Sequence, residues 1–145
     1  MSDADHRLLT AAAAGDAAAL HEALADGANV NARGEFDDSA LNFAAERGHG
    51  EIVDLLIAAG ADLENKGGAD KTPLMNAAFA GNIAIVRRLL GAGARIGDDL
   101  LRGLSVKVSI LEENAEAGMV RADAAKAWRD FFDGLIAERR KQDGG

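Results

Sequence analysis

Three histidines, four serines and a surplus of carboxylates are the side chains in this sequence that could do chemistry. The histidines are His6, His21 and His49, and no two share a short metal-binding spacing with each other or with a carboxylate. None of Ser2, Ser39, Ser105 and Ser109 lies in a nucleophile elbow or has a matching His and acid pattern. The "GGAD" at 67–70 lacks the Lys-Ser/Thr ending and the following long helix of a phosphate loop. Without Cys there is no thiol nucleophile, no disulfide and no thiolate metal site. The sequence therefore predicts no catalytic residue, no metal and no cofactor. The formal net charge of −8 argues against a nucleic-acid partner held through phosphates. The polar, acidic start "MSDADHRLLTAAAAGD" lacks the basic and apolar parts of a signal peptide, and no run of about 18 apolar residues could span a membrane. A soluble, cytoplasmic protein is the expectation.

Any function must then rest on surface, and the surface on the elements beneath it. A chain of 145 residues suffices for one domain with a modest core. Alanine is abundant, Pro73 is the one proline and Tyr is absent, which predicts close-packed helices. A period of 33 residues organises them. "GANVN" starts at Gly27, "GADLE" at Gly60 and "GARIG" at Gly93, while Gly15, Gly48 and Gly81 keep the same interval. So do Leu8, Leu41 and Leu74, and the pairs Ala11-Ala12, Ala44-Ala45 and Ala77-Ala78. Ser39 or Thr72 can cap a first helix, and Pro73 suits its first position. Gly48 and Gly81 can take the left-handed backbone that ends it, and "EIVDLLIAA" or "AIVRRLLGA" forms the second helix. No such unit buries its apolar faces alone, so the units must stack.

"TPL" at 72–74, "AAERGHGEIVDLL" at 44–56 and "GADLE" at 60–64 resemble the ankyrin-repeat family, closely over about 35–97 and loosely over 5–34. The resemblance implies an all-α solenoid of helix-turn-helix units joined by short loops or hairpins. We divide it into an N-terminal capping repeat (5–34), repeat 2 (35–67), repeat 3 (68–97), a divergent C-terminal helical cap (98–141) and a disordered tail (142–145). Asn42 and Met75 stand where the family usually has His, and Asp37 and Asp70 where it usually has Gly. Asp tolerates the left-handed region, so the turn can survive. His49 falls at the "G-H" position, where a structural role is expected.

The resemblance further implies binding of another protein along a concave face of loop tips and first helices, as adaptor or as inhibitor of one enzyme, by a chain that is monomeric when free. Carried over position by position, the partner-binding residues are Arg33, Glu35, Phe36 and Asp38, with Glu46 and Arg47; then Lys66, Gly68, Ala69 and Lys71, with Phe79 and Ala80. Ala13 and Ala14 are the matching pair in the first unit. Phe36 and Phe79 stand out as aromatics at positions the framework leaves free. A small-molecule binder or enzyme would instead need a deep pocket with converging polar groups.

Past Gly97 the repeat is lost. Leu101, Leu104, Val108 and Leu111 recur at helical spacing, with Asp98 or Asp99 as possible caps and Gly118 as a stop. A further helix starting near Asp123 carries Trp128, Phe131, Phe132, Leu135 and Ile136. That aromatic cluster reads either as a buried cap or as a docking surface.

Overall fold

The computed structural model describes residues 1–144. Met1–Ala94 forms one compact unit, and the chain from Arg95 forms a second. Among the described residues there is no strand, only an isolated antiparallel bridge between Arg33 and Ser39 at the base of a hairpin loop. None of the described helices is long and apolar enough to cross a membrane.

The first unit holds three helix pairs: α1 (Asp3–Ala14) with α2 (Ala17–Ala25), α3 (Ala40–Arg47) with α4 (Gly50–Ala58), and α5 (Pro73–Ala80) with α6 (Ile83–Gly91). One local code starts and stops each first helix. The hydroxyls of Ser2, Ser39 and Thr72 accept the N–H groups of Asp5, Asn42 and Met75 at 3.1, 3.3 and 3.3 Å. Asp5 and Asn42 return the bond to the backbone of Ser2 and Ser39, each pair completing a capping box. Met75 cannot, and there Pro73 presets the first turn. Gly15, Gly48 and Gly81 end these helices at φ of 77°, 80° and 80°. The next N–H folds back on the carbonyl of Ala11, Ala44 or Ala77, which satisfies an otherwise orphaned acceptor. The cap at Ser2 moves the start of the first unit from the expected residue 5 to residue 2.

Short helices of this kind hold only through stacking. Leu8, Leu41 and Leu74, the three Ala pairs, and Leu20, Val53 and Val86 are all buried. Each such Leu or Val contributes about 1.5–3 kcal/mol by leaving water. The alanines hold the layers close, and a larger side chain there would push them apart. His49 and Asn82 stand at the N-caps of α4 and α6 but do not cap them. They reach into the preceding repeat instead. His49 Nε2 donates to the Ala13 carbonyl at 3.2 Å, and Asn82 Nδ2 to those of Ala45 and Glu46 at 2.9 and 3.2 Å. The imidazole lies so close over Gly15 that a Cβ there would sit 2.8 Å from it.

Repeats 2 and 3 are joined through a buried amide. Asn42 is 1% exposed. Its Oδ1 accepts from the Ser39 N–H, the Ser39 hydroxyl and Asn65 Nδ2 at 3.0, 2.9 and 2.8 Å. Its Nδ2 donates to Asn76 Oδ1 at 2.8 Å and to the carbonyls of Lys71 and Asn65 at 3.1 and 3.3 Å. Asn65 also holds the Asp37 carbonyl at 3.0 Å. Asn42, where the family usually carries His, thus links the start of α3, both loop hairpins and α5.

The second unit is a hairpin of two longer helices, α7 (Asp98–Glu116) and α8 (Ala122–Gly144). Leu100, Leu104 and Val108 are its buried side chains on α7, while Leu101 and Leu111 are half-buried. On α8 Ala125, Phe132 and Leu135 are buried. Trp128 is half-buried, edge-on to Phe131 at 5.8 Å, with the Lys107 ammonium 3.9 Å above its ring. Arg129 clamps Glu112 with two bonds of 2.8 Å. Gly97, not Asp98 or Asp99, is the N-cap of α7, and the two acids lie in its first turn, where they complement the helix dipole. The expected boundaries shift at both ends. Residues 95–97 belong to this unit because Ile96 donates to Gln142 and accepts from Arg139. Residues 142–144, expected as tail, continue α8, held by those bonds and by an Arg139–Asp143 pair; residue 145 lies outside the described residues.

Two predictions follow from these bonds. Asn42→Ala strands buried donors and acceptors on both neighbouring repeats and should cost about 3 kcal/mol, read from urea denaturation followed by far-UV circular dichroism. The second concerns acid. The Arg129 guanidinium holds Glu112 below its ordinary value of 4.5, and the backbone N–H groups of Asn29 and Ser2 hold Asp5 below 3.8. A depressed carboxyl stabilises the fold above its unfolded value and stops doing so as pH falls through the folded one. Thermal stability should therefore drop below about pH 4.5, and Glu112→Gln should flatten the part of that drop reported by Trp128 fluorescence.

Candidate protein-interface site

A groove of about 630 Å³ opens on the first unit beside α1. His6, Leu9, Thr10 and Ala13 present one helix face to it, Arg33, Gly34 and Glu35 come from the hairpin loop, and Phe43 comes from α3. The local code makes this possible. First helices expose the positions not taken by the Leu and Ala of the stack, and the Arg33–Ser39 bridge stands the loop up beside them. The groove is open and exposes more apolar than polar surface. Among the described residues no group of three or more His, Cys, Asp or Glu is placed to hold a metal ion.

Two aromatics of successive repeats carry a cation on their rings. The Arg47 guanidinium lies 5.9 Å from the Phe43 ring centre, and the Lys71 ammonium 5.6 Å from that of Phe79. Such contacts keep a ring partly desolvated and orient the cation. Arg47 is further fixed by a 3.2 Å bond to the Ala13 carbonyl. Phe36, at the loop tip, is bare, at 72% exposed.

The loop tips are built differently. Asp37 (φ 65°) and Asp70 (φ 57°) both take the left-handed conformation expected of them. In the second loop Ala69 joins Asp70 there, at φ 58°. An alanine gains nothing from that region, which favours glycine, so this turn is strained where the first is not.

A family model of ankyrin repeats, in three copies, matches residues 8–99, more than half of the chain. The chain belongs to the ankyrin-repeat family. Among curated proteins nothing matches it. Ankyrin repeats generally serve as protein–protein interaction modules, and the matched span covers most of the three helix pairs of the first unit.

Within this ankyrin frame the carried-over residues divide by what they touch. Arg33 and Glu35 line the groove, and Arg33 also approaches Asp37 at 3.6 Å. Glu46 and Lys66 are exposed, and the Glu46 carbonyl is bound by Asn82. Lys71 and Phe79 pair with each other, as noted. Asp38 is drawn into the scaffold: it is half-buried, and its Oδ1 accepts the Gly68 N–H at 3.0 Å across the loop tips. Gly67 is glycine because a Cβ would overlap that carboxylate. The sequence reading passed over Phe43 and the groove-facing residues of α1. Phe43 had a signal, since it aligns with Thr10 and Asn76 and is the one aromatic of the three.

The contrast between neighbours is testable by denaturation. Asp38→Ala should cost about 1 kcal/mol by unpairing the Gly68 N–H. Phe36→Ala, two positions away, should leave stability within about 0.5 kcal/mol.

Proposed function

We propose that the chain binds a partner protein along the face running from the α1 groove across Phe36 and Phe43 to Phe79, acting as an adaptor or as an inhibitor that occupies a partner's working surface. The observation that carries this reading is the groove itself: about 630 Å³, open, lined by Leu9 and Phe43 among others, beside a hairpin whose tip aromatic is exposed. An apolar side chain from a peptide segment or helix fits such a trough. A small molecule would need more enclosure and more convergent polar groups. Phe36 gives a partner an anchor at no folding cost, and Phe79 a ring already oriented under Lys71. Arg33, Glu35, Glu46 and Lys66 set register and encounter rate more than affinity.

The inhibitor reading draws on charge. Glu35 and Asp37 flank Phe36 at the first loop tip, on a chain of net charge −8, which suits a basic partner groove.

Affinity capture from the source organism with cross-linking supplies the partner, and titration calorimetry then measures it. Phe36→Ala combined with Phe79→Ala should weaken that complex at least about tenfold, some 1.4 kcal/mol, without lowering the melting temperature by more than a few degrees. Unchanged affinity would remove the concave face from the interaction.

A further inference from the structure

The turn that carries Phe36 is tied down on both sides, and its two middle side chains are left in solvent. The Gly34 N–H donates to the Asp38 carbonyl at 2.9 Å and the Asp37 N–H to the Gly34 carbonyl at 3.1 Å, which closes the turn on itself. Asn65 Nδ2 holds the Asp37 carbonyl at 3.0 Å, and the Asp38 carboxylate holds the Gly68 N–H at 3.0 Å, which ties the turn to the next loop. The Arg33–Ser39 bridge closes its base. Phe36 and Glu35 remain exposed at the tip. A bare aromatic on a backbone already ordered loses little freedom when it is buried.

The three aromatics of this face differ in the charge beside them. Phe43 and Phe79 carry Arg47 and Lys71 on their rings. Phe36 has a carboxylate on either side in the chain, Glu35 and Asp37. Asp37 approaches Arg33 at 3.6 Å, whereas Glu35 forms no ion pair among the described residues. Covering the Phe36 ring therefore brings an uncompensated carboxylate to the edge of the contact, where it loses hydration unless a donor meets it. An anionic lipid surface, or the same tip of a second copy, would set negative charge against it.

We propose that the Gly34–Asp38 turn enters the partner as a preorganised finger: Phe36 fills an apolar recess that admits a phenyl ring, and a Lys or Arg at the mouth of that recess meets Glu35. This rests on the reading above, that the chain binds a partner protein along this face, and it states what the partner must offer there. Full enclosure of one aromatic anchor is where a protein interface concentrates its affinity. The cation opposite Glu35 then sets which recess is accepted and how fast it is found. At Phe43 and Phe79 the partner needs no cation, because the chain supplies its own.

Nitrogen-15 relaxation of the full chain should give backbone order parameters at Glu35, Phe36 and Asp37 near the rigid value of about 0.85. Values under about 0.6 describe a flexible tip and overturn the proposal. Two defined probes then stand in for the recess: β-cyclodextrin, an apolar cavity that admits a phenyl ring, and its rim-aminated derivative, the same cavity ringed by ammonium groups. Titrations followed at the Phe36 ring resonances at low salt should show the aminated probe binding at least about threefold tighter, the factor expected of one exposed ion pair. Phe36→Ala should abolish binding of both at this site, and Glu35→Gln should remove most of the difference between them. No binding at Phe36, or a difference that Glu35→Gln leaves unreduced, overturns the proposal. The protein recovered by affinity capture with the wild-type chain separates this inference from the reading beneath it. Phe36→Ala and Glu35→Lys should each weaken its binding at least about tenfold, with unchanged circular dichroism, since neither side chain is buried. If Phe43→Ala or Phe79→Ala weakens binding and the two tip variants do not, the partner lies on the face without receiving the tip, and this inference alone falls. If none of the four weakens it, both fall.

Discussion

The buried carboxamide of Asn42 is the constraint on which the repeat unit depends. A stack of two-turn helices has ample apolar surface to bury, but apolar burial does not choose a register. Six contacts of 2.8–3.3 Å at one amide do, three accepted by its oxygen and three sharing the two protons of its nitrogen. They hold Ser39 at the start of α3, Asn65 and Lys71 in the second loop, and Asn76 in α5 at fixed separations. A slip of one repeat on the next would strand several of these groups in the interior, at a cost the apolar contacts cannot offset. His49 and Asn82 repeat the principle at the other end of the first helices, trading a local cap for a bond to the neighbouring repeat.

What remains for function follows by subtraction. Leu, Ala and Gly positions hold the stack, and Asn42, Asn65, Asn76, His49 and Asn82 lock it. Asp38 binds one loop tip to the next. The face left over combines apolar Leu9 and Phe43 with charged Arg33 and Glu35. Such an arrangement places affinity in a few apolar contacts and selectivity in the charges around them. Arg47 and Lys71 serve both sides. Each is tethered over a ring, so neither loses much freedom when a partner's carboxylate approaches.

Features with a period were legible in the sequence. The left-handed glycines, the capping hydroxyls at Ser39 and Thr72 and the buried Leu and Ala positions all recur every 33 residues, and a recurrence can be read without coordinates. Asp37 and Asp70 were legible as well, because few side chains suit the backbone that the turn demands. Single-copy features were not. Asn42 stood out as a departure from the family, yet its partners lie 23, 29 and 34 residues away, and nothing local announces them. Asp38 was carried over as a free loop-tip position, and only the approach of Gly68 shows that it is held. Ala69 in a left-handed turn could not be expected from its type.

The two units also treat exposed apolar surface in opposite ways. In the first, Phe43 and Phe79 lie beneath cations, and Phe36 stands alone at a loop tip, too small a patch to bind its own kind. In the second, Trp128 is covered in the same manner by Lys107, and Phe132 is buried. The aromatic cluster of α8 is therefore largely satisfied by the hairpin, and its prominence in the sequence reflects core-building. Val106 and Ile110 have no such cover. Serine or lysine at either position would serve an isolated hairpin equally well, because neither side chain contributes to the Leu100–Leu104–Val108 core. The core of the hairpin does not account for their presence. The surface that announces itself least in the sequence is thus the one whose physical chemistry asks for an explanation.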